Sequence, residues 1–151
     1  MTESQVRGLF NLWNDALATL DSAKVADRYC KNAVLLPTLS DIPRDTRELL
    51  IDYFNTLLIK KPRAKILSGH IMIGQGWAQD VGIYEFTLTA DGDRYVKARY
   101  TFVYAFEDGE WKIAHHHSSK MPEEFLGSYT AHVSATLKNM LMKHGYTTEK
   151  K

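Results

Sequence analysis

Three histidines and two serines stand together at His115-His116-His117-Ser118-Ser119, at the end of an apolar run that begins with Trp111. Imidazole titrates near neutral pH and can move a proton or ligate a metal. Side chains alternate along a strand, so residues two apart share a face. As a strand, this run places Trp111, Ile113, His115, His117 and Ser119 on one face, with Lys112, Ala114, His116 and Ser118 on the other. The first set starts apolar and ends polar, as a core face running into a cavity reads. His116, beside Lys112, is expected in solvent or at an interface. Two histidines on a face lack the third ligand a tight metal site needs, so no metal is expected.

The partners of this strand depend on the turns before it. A three-residue loop at Glu107-Asp108-Gly109, with Gly109 left-handed, pairs Thr101 with His115 and Arg99 with His117. A two-residue loop instead puts Tyr100 opposite His117. The longer loop keeps the polar residues together, and an Asp91-Gly92 hairpin then sets Tyr84 opposite Arg99. The expected site is a concave polar patch of Tyr84, Arg99, Thr101, His115 and His117. A one-residue slip would turn every one of these side chains over. The other face, Ala98, Tyr100, Phe102, Tyr104 and Phe106, is too apolar for water and is read as a subunit interface in preference to an internal packing layer.

Three helices and a run of strands must position these residues. Val6, Leu9, Phe10, Trp13, Leu17 and Leu20 have helical spacing within Ser4 to Asp21. A short helix over 24–31 buries Val25, Tyr29 and Cys30. A third opens at Asp45, three residues before Glu48, turns Leu49, Leu50, Tyr53, Phe54 and Leu57 inward, and stops at Pro62. Strands are expected near 65–74, 78–89, 94–106 and 110–119, separated by glycine-containing turns. Helices followed by an antiparallel meander give an α+β chain. A last amphipathic helix, with Val133, Leu137, Met140 and Leu141 on its apolar side, falls within 125–144.

Composition narrows the partners. The 151 residues suit one domain, with 44% hydrophobic and 25% charged residues and a formal net charge of +1. Nucleic acid is not expected as a partner, because Lys60, Lys61, Arg63 and Lys65 form only a short basic cluster around Pro62. One cysteine, Cys30, permits no intrachain disulfide and reads as a small buried hydrophobe. No apolar run approaches the roughly 18 residues of a membrane span, and no leader is evident. A cytoplasmic location and no membrane partner are the expectations.

Leu-Leu-Pro-Thr at 35–38, Tyr53-Phe54, Gly-Ile-Tyr-Glu-Phe at 82–86, Ala-Arg-Tyr-Thr-Phe-Val-Tyr at 98–104 and Trp-Lys-Ile-Ala-His-His-His-Ser-Ser-Lys-Met-Pro-Glu at 111–123 resemble a bacterial family. That family is related to the association domain of calcium/calmodulin-dependent protein kinase II. It lies within the nuclear transport factor 2-like superfamily, with ketosteroid isomerase and the SnoaL-like cyclases. The resemblance implies a cone-shaped, cystatin-like fold over 1–124, in which a curved antiparallel sheet wraps a long N-terminal helix around a pocket. Residues 125–151 add a C-terminal helix and tail that depart from the family's short ending. It also implies self-assembly through the sheet, as a dimer or ring, and matches Arg99, His115, His117 and Ser119 to the pocket lining. Neither kinase activity nor a calmodulin-binding segment is implied.

Two functions follow. The first is a non-catalytic, self-associating domain that holds a small anionic or carboxylate ligand, because arginine offers a planar fork of donors. Its ligand-binding residues are Arg99, His115, His117, Tyr84, Thr101 and Ser119, with Arg44 over the mouth. The alternative is a cofactor-free isomerase, cyclase or dehydratase using His117 or His115 as general acid or base and Tyr84 or Arg99 at an oxyanion. No carboxylate falls clearly in the patch to serve it.

Overall fold

The first helix is set by its ends and its spacing. In the computed structural model, which describes residues 1–122 and 134–143, α1 spans Glu3–Ala18. Thr2 caps it reciprocally with Gln5: the Thr2 hydroxyl accepts from the Gln5 amide, and the Gln5 side chain accepts from the Thr2 amide. Val6, Phe10, Trp13 and Leu17 form its buried stripe. Asp21 then caps α2, Ser22–Ala26, shorter than expected, since Tyr29 and Cys30 already belong to strand β1, Tyr29–Leu36. Helix α3 runs Arg47–Leu57 and is capped by Thr46, whose hydroxyl accepts from the Leu49 amide, rather than by Asp45.

The meander follows as β2 (Pro62–Gly74), β3 (Trp77–Leu88), β4 (Arg94–Glu107) and β5 (Glu110–Lys120). Sheet order is β1-β5-β4-β3-β2, antiparallel except that β1 joins the edge of β5 in parallel. The helices pack on one face of this sheet. Phe10 and Trp13 of α1 meet Phe102 at ring distances of 6.1 and 5.3 Å, and Trp13 stacks on Tyr84 at 6.5 Å. Tyr84, Ala98, Tyr100, Phe102, Tyr104 and Ile113 complete the core on that face.

The chain divides into two units, residues 1–120 and 121–151. In the second unit, α4 spans Ala135–Lys143, with Leu137 and Met140 exposed. The expected helix over 125–144 is thus present in its later part. The rest of it, with Val133 and the side chain of Leu141, lies outside the described residues.

Register is where the expectations fail. The β4–β5 turn is a two-residue loop, Asp108-Gly109, both at positive φ, with Glu107 opposite Glu110. Beyond Tyr104↔Ile113 the register shifts, so that Val103 faces His115, Thr101 faces His117 and Arg99 faces Ser119. Ala114 is the extra residue of a β-bulge, which interrupts the alternation: Ile113 points inward, and so does His116. At the other turn, five residues separate Leu88 from its partner Arg94, and Tyr84 pairs with Ala98 instead of Arg99. Arg99, Thr101, His115, His117 and Ser119 do share a face, but it is the outer one. The aromatic face read as a subunit interface is the inner one, packed on the helices. The physical reason is area: the rings of Tyr100, Phe102 and Tyr104, all buried, remove more apolar surface from water than Arg99 and its neighbours would, at about 25 cal/mol per Å², while Phe106 at the strand end stays exposed.

Candidate functional site

The inner face closes on a cavity of about 260 Å³. Trp13 from α1, Tyr53 and Phe54 from α3, Phe86 and Tyr84 from β3, and His116 and Ser118 from β5 line it. A strap after β1 supplies Pro37, Thr38 and Leu39. Most of the lining is apolar, and its polar atoms are concentrated on the β5 wall.

That wall carries one continuous hydrogen-bonded chain. Trp13 Nε1 donates to the Tyr29 hydroxyl at 3.2 Å, and this hydroxyl lies 2.9 Å from His116 Nδ1. His116 Nε2 is 3.2 Å from the Tyr84 hydroxyl, which donates to Ser118 Oγ at 2.6 Å. Ser118 Oγ lies 2.6 Å from Thr38 Oγ1. The His116 ring also stacks on Phe102 at 4.1 Å. Burial, with His115 and His117 nearby, pulls the His116 pKa down to about 3, so the ring is neutral. Burial pushes the Tyr29 and Tyr84 hydroxyls well above their ordinary range, so both keep their protons.

Charge is confined to the mouth. Lys60 pairs with Asp91 at 3.1 Å. Arg94, opposite Leu88, and Lys120, opposite Ala98, are exposed at inner-face positions of the strand ends and border the cavity. A second polar cluster sits under the start of α1. Asp80, fully buried, accepts from the Tyr100 hydroxyl at 2.9 Å and faces Arg7 Nη1 at 3.0 Å. A Cβ at Gly69 would strike that guanidinium and hydroxyl, so a side chain there would displace the Arg7 end of the cluster.

Of the residues expected to bind or react, only Tyr84 lines the cavity. Arg99 and His117 are exposed on the outer face, with Thr101 and Ser119 half-buried beside them. His115 is there too, its Nδ1 donating to the Val34 carbonyl at 2.8 Å. Arg44 stands behind the lining. Its guanidinium lies over the Tyr53 ring at 5.5 Å and donates to the Leu49 carbonyl, Asp52 and Ser40 Oγ. Its backbone pairs both ways with Leu35, which ties the strap down at its far end. We expect Arg44→Ala to cost about 1–2 kcal/mol, the loss of a few partly buried hydrogen bonds. Hydrogen exchange should then quicken at the Leu35 and Arg44 amides; unchanged protection there would refute the strap's anchoring.

His116, Ser118, Thr38 and Trp13 were missed as lining residues, and Tyr29 as the hydroxyl behind them. The signal was in the sequence: the face bearing Tyr100, Phe102 and Tyr104 is the more apolar one, hence the one that must meet the helices. His116 and Ser118 share that face once a bulge is admitted. Among the described residues, no three of His, Cys, Asp and Glu converge where they could hold a metal ion.

A sequence profile described as "Calcium/calmodulin dependent protein kinase II association domain" matches residues 2–122. A crystal structure from Xanthomonas campestris, given that same association-domain description, is 47% identical, with a TM-score of 0.75 over 79% of this chain and 87% of that one. A nuclear transport factor 2-like protein of unknown function from Pseudomonas putida is 16% identical, with a TM-score of 0.67 over 78% of this chain and 84% of that one. A protein with a cystatin-like fold from Caulobacter vibrioides is 15% identical, with a TM-score of 0.66 over 83% of this chain and 94% of that one. The last two establish likeness of fold alone. No curated protein matches the chain. None of the described helices is long and apolar enough to cross a membrane.

Proposed function

Because the chain belongs to the calcium/calmodulin dependent protein kinase II association-domain family, we propose that it is a self-associating domain that holds a small amphipathic anion in its cone. The observation that carries the ligand half is the cavity: an apolar interior of about 260 Å³ bordered by the cations Lys120 and Arg94. An apolar body gains by leaving water for such a lining. Lys120 and Arg94 are placed to meet a carboxylate that stays at the rim, where its solvation is largely kept. The anion-binding patch expected around Arg99 is therefore moved to the opposite face of the sheet and to other cations.

Binding without turnover is the better-supported reading. His116 has both ring nitrogens engaged by tyrosine hydroxyls, and burial holds it neutral far below neutral pH, so it is a poor proton acceptor. Among the described residues, the one carboxylate bordering the cavity, Asp91, is paired with Lys60. Calorimetry with octanoate, and native mass spectrometry of the freshly purified protein, test the pocket. The Arg94→Glu, Lys120→Glu double variant should weaken octanoate binding about tenfold or more through like-charge repulsion. No binding of octanoate and no retained ligand would sink this half of the proposal.

The outer sheet face supports the self-association half. Within residues 1–120 the helices pack on the other face, and Val34, Val81, Ile83 and Val103 lie half-buried among Arg99, His115 and His117. Open apolar sheet of this kind is where a second copy gains most. Light scattering should report a dimer or larger assembly. Val103→Glu, at the centre of the face, should shift it to monomer with the far-ultraviolet circular dichroism unchanged. A wild-type chain that is monomeric at all concentrations tried would refute it.

A further inference from the structure

The hydrogens of the cavity wall can be counted. Six groups in the chain from Trp13 to Thr38 each carry one polar hydrogen when His116 is neutral, and five contacts link them. One hydrogen is therefore left over, and the buried end of the chain decides where it lies. Trp13 can only donate, so its N–H uses one lone pair of the Tyr29 hydroxyl. Were His116 to donate through Nδ1, Tyr29 would accept twice, and the proton of this buried residue would have no acceptor among the described residues. A buried orphan donor costs about 1–3 kcal/mol. With Nε2 carrying the proton, every buried hydrogen finds a partner: Trp13 gives to Tyr29, Tyr29 to His116, His116 to Tyr84 and Tyr84 to Ser118. A doubly protonated ring fails on the same ground, since Tyr29 would again accept twice.

The remaining contact, Ser118 with Thr38, needs one hydrogen and has two. Whichever hydroxyl donates, the other's proton has no acceptor among the described residues, and both residues line the cavity. From this count we infer that the Thr38–Ser118 pair is a hydrogen-bond donor aimed into the cavity, and that the ligand carries an uncharged carbonyl oxygen there. A carboxylate at that depth would be desolvated against neutral groups alone, whereas a carbonyl needs one donor. The wall thus distinguishes the two ends of the ligand, the anion at Lys120 and Arg94 and the carbonyl at Ser118. The inference rests on the reading of the cavity as a ligand site.

The test uses a matched pair of probes, 6-acetyl-2-naphthoate and 6-ethyl-2-naphthoate, titrated calorimetrically into the full chain and its Thr38→Val, Ser118→Ala double variant. The preference for the ketone over the ethyl compound should fall about tenfold in the variant, the size of one neutral hydrogen bond. A second readout needs no variant: the ¹³C resonance of a labelled acetyl carbonyl should move downfield on binding to the unaltered protein, relative to the same probe in an alkane solvent. Both probes binding, with a preference that the variant leaves unchanged or a carbonyl shift equal to that in alkane, overturns the donor and leaves the cavity reading intact. Neither probe binding overturns the cavity reading itself.

Discussion

Acidifying the protein from neutrality is expected to unfold it through His116. An unfolded histidine takes its proton near 6.5, whereas this one, buried between two tyrosine hydroxyls, resists until about 3. The unfolded state therefore binds the extra proton across that window. Stability is full above about pH 6.5 and falls as the pH drops toward 3, by up to ~1.4 kcal/mol per unit and ~4–5 kcal/mol in all. Asp80 acts in the opposite sense, because burial pushes its carboxyl up and the folded state holds that proton more tightly. A comparison of wild type with His116→Gln cancels the Asp80 contribution. Urea midpoints measured between about pH 7 and 4 should show the wild type losing the larger share, and the variant's slope should be shallower by most of one proton. Parallel slopes in the two proteins would contradict the assignment.

Trp13→Ala is the second large effect. Its indole is 1% exposed and meets the rings of Phe10, Phe102 and His116 at 5.8, 5.3 and 5.4 Å. Deletion leaves a cavity where α1 crosses the sheet and removes the N–H that fixes Tyr29. Truncating a buried aromatic of this size costs about 3–5 kcal/mol, so the urea midpoint should fall sharply with little change in slope. Trp13→Phe keeps most of the buried area and loses only the donor, for a cost of about 1–2 kcal/mol. A wild-type midpoint in Trp13→Ala would mean that this contact is not the centre of the core.

Helix and strand positions were legible because their signals are local. The stripe from Val6 to Leu17 and the glycine turns at 76, 92 and 109 are read within a few residues of chain. β1 was less legible, since its short apolar run gains strand structure only by pairing with β5, some eighty residues away. The site was hardest. Arg99, Thr101, His115 and His117 were grouped together correctly, because two errors in register, one at the turn and one at Ala114, cancel in parity. They cancel for the grouping but not for the side of the sheet, and a single-residue error at the β3–β4 turn separated Tyr84 from its true neighbours.

The sequence by itself thus determined the α+β architecture, the order of its first three helices and four-strand meander, and which run of residues carries the polar wall. The tertiary structure decided which of three consecutive histidines is inside. One extra residue at Ala114 inverts the alternation, and the apolar area of Tyr100, Phe102 and Tyr104 outweighs any preference of the polar face for the helices. His116, and not His115 or His117, consequently joins Tyr29, Tyr84, Ser118 and Thr38, and a count of their hydrogens becomes possible only once that side is known.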